Sequence, residues 1–221
     1  MTVLLVVLMF AVFLTIDYVR SRKHVPATAA VAVKAPELKV QPNYVAGFAL
    51  PDNLRYHPGH TWALAESPTL VRVGLDDFAA KLLGKCDGIA LPKRGQWIRQ
   101  GQKLATFFRD GQKAELVSPI EGEVTKVNEE LGRDPGTSLR DPYLGGWLVA
   151  VMSPDARTNF RNLLSGALAR QWMAEAASRL QARMPMPAGA VAQDGGLAMP
   201  DLTAHLPGQS WQDLAQEFFL V

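Results

Sequence analysis

Seven short strand-like runs, each broken by glycine or proline, fill the middle of this chain: 61–65, 69–73, 88–90, 102–109, 113–117, 122–127 and 147–152. Strands this short have to pair and stack to bury a face, which predicts a β-sandwich or barrel. The sharpest local constraint is Asp110-Gly111, set between two of the runs. Asp-Gly tolerates positive φ at both turn positions, the geometry of a two-residue hairpin, so 102–109 and 113–117 are predicted to fold back about it. One helical insert is predicted over 76–83, where Phe78, Ala79, Leu82 and Leu83 share a face.

The flanks differ in character. Residues 2–16 carry no charge; Asp17 and Tyr18 follow, then Arg20, Arg22, Lys23 and His24. Crossing the hydrocarbon core takes ~20 residues, with a lower limit near ~17. The run suffices if Asp17 and Tyr18 sit at headgroup level. A cleaved signal peptide is the rival reading, but its basic residues precede the apolar run rather than follow it. Segment 1–19 is therefore expected to be a retained single-pass transmembrane anchor, with the C-terminal bulk in the cytoplasm by the positive-inside rule. Segment 20–50, interrupted by Pro26, Pro36 and Pro42, reads as an extended linker, and the domain as 51–155. Ser153-Pro154-Asp155 reads as a helix start, and one long helix is expected over 156–184, with Phe160, Leu163, Leu164, Trp172 and Leu180 in its apolar stripe. Pro185-Met186-Pro187 stops it, 185–207 reads as a second linker, and 208–221 as a short terminal amphipathic helix. There Ser210 precedes Trp211, Leu214, Ala215 and Phe218 at i, i+3, i+4, i+7 spacing.

Composition excludes several classes. A net charge of +2 in 221 residues gives no polyanion-binding surface, and the basic residues are not interleaved with aromatics, so no nucleic-acid partner is expected. The single cysteine, Cys86, rules out an intrachain disulfide framework and a Cys-x-x-Cys metal motif. His57 and His60 form His-x-x-His, yet Pro58-Gly59 between them argues a turn, and they read as structural histidines beside Trp62, with no metal expected. Asp76-Asp77 and Glu129-Glu130 read as solvated faces. No Ser/His/Asp or Cys/His constellation is present, so no enzymatic activity is expected of the chain alone.

A series of motifs carries a resemblance over roughly residues 50–155. Tyr56-His57-Pro58-Gly59-His60-Thr61-Trp62, Val71-Arg72-Val73-Gly74-Leu75-Asp76-Asp77-Phe78-Ala79, Leu83-Gly84, Leu91-Pro92-Lys93-Arg94-Gly95-Gln96, Gly122-Glu123-Val124 through Val127-Asn128-Glu129, and Asp141-Pro142-Tyr143 with Gly146-Trp147-Leu148 follow in order. In that order and spacing they resemble the glycine cleavage H-protein family, small β-rich carriers of lipoic acid. The resemblance implies a mainly β fold of the lipoyl/biotinyl type, a barrel-sandwich hybrid with flanking helices, here joined to an N-terminal transmembrane helix.

It also implies where the cofactor belongs. In that family the hairpin tip carries a lysine that is lipoylated. Counted back from Pro119 without gaps, that position falls on Gly111; with a gap, Lys113-Ala114 takes it. The Asp-Gly turn favours the first count, which leaves no lipoyl group and no other cofactor expected. The chain then reads as a membrane-tethered, non-catalytic module that scaffolds or assembles a membrane-associated enzyme complex through protein partners. The alternative is a lipoyl-carrying shuttle of the glycine cleavage type using Lys113. For the terminal aromatic group two readings stand: docking on the chain's own domain, or an anchor for a partner formed by Trp211, Leu214, Phe218 and Phe219.

Overall fold

A computed structural model of the chain describes residues 43–183, 197–206, 208 and 210–220, together with Met9. The expected anchor, 1–19, is otherwise outside those residues. The chain divides into two compact units, Met1–Glu37 and Leu38–Val221, and the described elements belong to the second. Among the described residues no helix is long and apolar enough to cross a membrane.

Among the described residues, eleven short strands alternate with turns and short helices, all paired antiparallel. A two-stranded ribbon joins β1 (Tyr44–Val45) to β2 (Phe48–Ala49). The main sheet has six strands: β3 (Arg55–His57), β4 (Thr61–Ala65), β5 (Leu70–Leu75), β7 (Trp97–Ile98), β10 (Gly122–Val127) and β11 (Val149–Met152), in the order β3-β4-β5-β11-β10-β7. A three-stranded sheet, ordered β6-β8-β9, contains β6 (Gly88–Ala90), β8 (Lys103–Arg109) and β9 (Gln112–Val117). Helix α1 (Asp77–Leu83) begins at Asp76, whose side chain accepts from the Ala79 N–H at 2.8 Å. The short helices α2 (Thr137–Arg140) and α3 (Ala156–Phe160) follow, then α4 (Gly166–Gln181), a 3-10 turn (Leu202–His205) and α5 (Trp211–Phe219).

Alternation fixes the core. Trp62, Val71, Val73, Val124 and Val151 turn inward from the large sheet and meet Leu104, Phe107 and Leu116 from the small one. Phe78, Leu82 and Leu83 of α1 join them. The Trp62 indole is fully buried and donates to the carbonyls of Leu75 (2.8 Å) and Pro142 (3.1 Å), so its one polar atom is satisfied.

Four expectations are corrected. The linker 20–50 does not extend to residue 50: the β1–β2 ribbon lies inside it, and Phe48 and Leu50 are core residues. The helix expected over 156–184 is broken between Phe160 and Gly166, where Leu164 exchanges both backbone hydrogen bonds with Tyr56 (2.7 and 3.0 Å) and Ser165 is extended. Ser153 does not cap it; its hydroxyl is buried and has no hydrogen-bond partner among the described residues. The linker 185–207 ends early too, since the Ala198 N–H donates to the Gly47 carbonyl (2.8 Å) and Ala198, Leu202 and Leu206 are buried.

Candidate functional site

The hairpin β8–β9 closes on two residues. Asp110 and Gly111 have φ of 49° and 76°, the left-handed pair of a type I′ turn. Arg109 pairs with Gln112 and Phe108 with Lys113 across the ladder, which puts Lys113 on β9 rather than in the turn. Its side chain is 60% exposed, and Nζ has only a loose contact with Glu115 at 3.8 Å. Gly111 has no side chain to acylate. A Cβ there meets nothing within 4 Å, so the tip stands in open space.

The base of the turn is held from both sides. The Asp110 N–H donates to Asp87 Oδ2 at 2.8 Å, and the Asp87 N–H donates to the Phe108 carbonyl at 2.7 Å. Arg109 Nη1 donates to Asp201 Oδ1 and Thr203 Oγ1, each at 3.1 Å. Gln112 Oε1 accepts from the Gln212 N–H (3.1 Å) and the Ser210 hydroxyl (3.4 Å). Helix α5 thus receives its first-turn acceptor from the hairpin, while Ser210, expected to cap it, makes no cap of its own. A small pocket of about 220 Å³ lies here, lined by Arg109, Asp110, Gln112, Thr203, Ser210 and Trp211. No local signal marks Arg109 or Gln112 in the sequence, since their partners lie some 90–100 residues away.

The partner-anchor residues are placed differently from that expectation. Trp211, Leu214, Phe218 and Phe219 are buried on the chain's own domain, with Phe218 and Phe219 at 1% and 0% exposure. The Trp211 indole N–H donates to the Leu83 carbonyl at 3.1 Å, and Phe218 lies 5.2 Å from the Phe78 ring. Of the two readings left open by the sequence, docking on the own domain is the arrangement found.

The remaining candidates are structural. His60 is fully buried, stacked on Phe78 at 4.2 Å and 4.6 Å from Trp172, with Nδ1 2.9 Å from Asp76 Oδ2. His57 instead accepts from the Gly59 N–H at 3.0 Å, and burial, then the neighbouring His60, lowers its pKa. Among the described residues no group of three or more His, Cys, Asp or Glu is placed to hold a metal. Asp76 and Asp77, expected on a solvated face, are buried instead. Asp76 caps α1, while Asp77 accepts from the Ala49 N–H (2.8 Å) and from Lys81 (2.6 Å). Burial is the main cause raising the Asp77 pKa, opposed by Lys81. Glu129 and Glu130 are exposed, as expected. An open cleft of about 720 Å³ beside α1 is lined by Lys81, Lys85, Cys86, Asp134 and Arg140 among others. Burial, then Asp87 and Asp134, pushes the Cys86 thiol up to about 11, so it is protonated at neutral pH and a poor nucleophile.

The hairpin, the two sheets and α1 fall within one stretch of known pattern: residues 54–176 match the family described as Glycine cleavage H-protein. The chain is 33% identical over 108 residues to the glycine cleavage system H protein of Anaeromyxobacter sp. (strain K), covering 49% of this chain and 84% of that one. It is 35% identical over 106 residues to the same-named protein of Nocardia farcinica, covering 48% and 80%. A probable glycine cleavage system H protein of Aeropyrum pernix is 35% identical over 123 residues, covering 55% and 85%. Among solved structures, a glycine cleavage system H protein from Mycobacterium marinum aligns with a TM-score of 0.47 and 25% identity, over 57% of this chain and 98% of that one. With more than half of its length matched by that pattern, the chain belongs to the glycine cleavage H-protein family.

Proposed function

We infer that this chain is a non-enzymatic H-protein-type module whose hairpin tip carries no lipoyl group and which acts through protein partners. One observation carries the reading: the turn is built from Asp110 and Gly111, so the tip offers no amine, and the nearest lysine, Lys113, lies on the returning strand opposite Phe108. The uncharged run 2–16 with its following basic residues adds the proposal that the module is held at a membrane, facing the cytoplasm, where it assembles an enzyme complex.

Family membership favours a second reading, a lipoyl carrier that uses Lys113. It supports carriage more directly than any observation supports assembly at a membrane. The Lys113 side chain is 60% exposed and only loosely paired, so its amine is open to acylation. Lipoate there would supply a dithiolane that accepts and hands on a group; this chain would contribute the amine, and Glu115 would contribute a nearby charge to it.

Intact mass of the protein isolated from a host with an active lipoylation pathway separates the two. The first reading expects the unmodified mass. A lipoyl-sized increase that disappears in Lys113→Arg establishes the second and ends the first.

A further inference from the structure

The main sheet ends at β7, a strand of two residues with a tight turn on either side. The Gln96 N–H donates to the Lys93 carbonyl and the Gln102 N–H to the Arg99 carbonyl, each at 3.1 Å. Gly95 and Gly101 take φ of 82° and 78° in these turns. A Cβ on either would meet nothing within 4 Å, so both turns stand clear of the rest of the fold. The backbone beneath them is fixed. The Gly95 N–H donates to the Val124 carbonyl and the Gly101 N–H to the Ser118 carbonyl, both at 2.8 Å. Gln100 Nε2 donates to the carbonyls of Pro119 (2.8 Å) and Asn159 (3.1 Å).

This edge displays cations around an exposed ring. Residues 91–103 contain Lys93, Arg94, Arg99 and Lys103 and no carboxylate, a local excess that the whole-chain net charge of +2 conceals. Lys103 pairs with Glu115 at 3.3 Å, while Lys93, Arg94 and Arg99 are exposed and make no ion pair among the described residues. Ile98 is buried and its neighbour Trp97 is 51% exposed. Register extends the surface across the sheet: Trp97 pairs with Glu123, Glu123 with Met152, and Met152 with Leu70. Met152 is 49% exposed, and the exposed Lys126 shares its side of the sheet through pairing with Ala150. Glu123 is the carboxylate of that row.

Lysine and arginine at a sheet edge deter addition of a foreign strand, which accounts for the charges but not for a Trp exposed among them. A single aromatic gives no stacking row for nucleic acid. Lysine, depleted at protein interfaces, supplies two of the four unpaired cations. Trp beside Lys and Arg suits a bilayer interface instead: the ring sits at headgroup level and the cations meet anionic headgroups. The uncharged run 2–16, followed by Arg20, Arg22 and Lys23, points to the same kind of surface from a different part of the chain.

We propose that the β7 edge is a contact site for an anionic lipid surface, with Trp97 entering at headgroup level and Lys93, Arg94, Arg99 and Lys126 around it. Each cation near such a surface is worth roughly five-fold in partitioning, so four of them, opposed by Glu123, hold the domain weakly by themselves. On a chain already held at a membrane, the same contact acts at a high local concentration and selects the face that meets the lipid. That selection rests on the anchored reading; the affinity of the edge for anionic lipid does not.

The test uses the full chain in vesicles with brominated acyl chains, of phosphatidylcholine alone or mixed with phosphatidylglycerol. Bromine quenches nearby Trp fluorescence, and the difference between the parent and Trp97→Phe isolates Trp97 among the five tryptophans. Flotation after a high-salt wash reports the anchor separately, and a chain that does not float is given the same vesicles from outside. Trp97 is expected to be quenched in the mixed vesicles and about five-fold less, or lower still, in phosphatidylcholine alone. The same loss is expected for Arg94→Glu with Arg99→Glu, and for the parent at about 1 M salt, where the screening length falls to about 3 Å. Both arginines are exposed and unpaired, so the thermal midpoint should not move, and the salt arm needs no variant. Equal quenching in the two lipids overturns the charge recognition. Quenching in neither overturns the lipid contact and leaves the cations as guards of the strand edge. Quenching that survives both charge reversal and salt overturns the assigned residues.

Discussion

At the scale of single residues, the buried pair His60 and Asp76 concentrates the most consequence in the fewest atoms. Asp76 holds the first turn of α1 through Ala79 and the His60 ring through Nδ1, both without solvent. Asp76→Ala removes a cap and strands a buried imidazole nitrogen, and is expected to lower stability by about 2–4 kcal/mol. Asp76→Asn, which keeps the capping oxygen, should lose less; urea denaturation of the two variants gives the difference. His57 sets a pH dependence. Its pKa is lowered in the folded protein, so the unfolded chain binds the proton more readily around and below its ordinary value of 6.5. Stability then rises with pH through that region and is lost as the pH falls below it. Urea midpoints at pH 5 and 7.5 should differ more for the parent than for His57→Gln. In sequence, Asp76 was legible as a helix start and the histidines as structural. The burial of Asp76-Asp77 was not legible, because the groups that cover them come from β2, the 57–60 turn and Tyr143.

Among the elements, the hairpin was the most legible and the long C-terminal helix the least. Asp-Gly determines its turn from two adjacent residues, and the structure forms that turn with both φ values positive. The break at 161–165 follows from Leu164 bonding to Tyr56, more than a hundred residues earlier, and no local pattern announces such a bridge. The turn's cost is open to measurement. Gly111 sits at φ 76° in open space, so Gly111→Ala meets no clash and pays only for left-handed backbone, about 1–2 kcal/mol by thermal or urea unfolding. Gly111→Lys should cost about the same while placing an amine at the tip. In a lipoylating host that variant is expected to gain a lipoyl-sized mass that the parent lacks. A parent already modified at Lys113 would give the opposite order.

For the whole molecule, the motifs from Tyr56 to Leu148 made the family legible, while the family match reaches on to residue 176 and the placement of what lies outside those motifs was open. The tail's apolar spacing fits its own domain and a partner equally well, and an amphipathic pattern does not say which surface it meets. At the other end, the full chain is expected to sediment with membranes, and removal of residues 1–24 to release it into the soluble fraction. Mature protein recovered from an extracytoplasmic fraction would end the anchored reading. The strand order of the main sheet also has a consequence for biosynthesis. β5 has β11 as its second neighbour, and β11 also pairs with β10, so the sheet cannot close until β11 has been made. At ~5–20 residues per second, the roughly 70 residues between β5 and β11 take about 4–15 s to make. During that interval one edge of β5 stands unpaired on the nascent chain, which is the period in which a foreign strand could add to it.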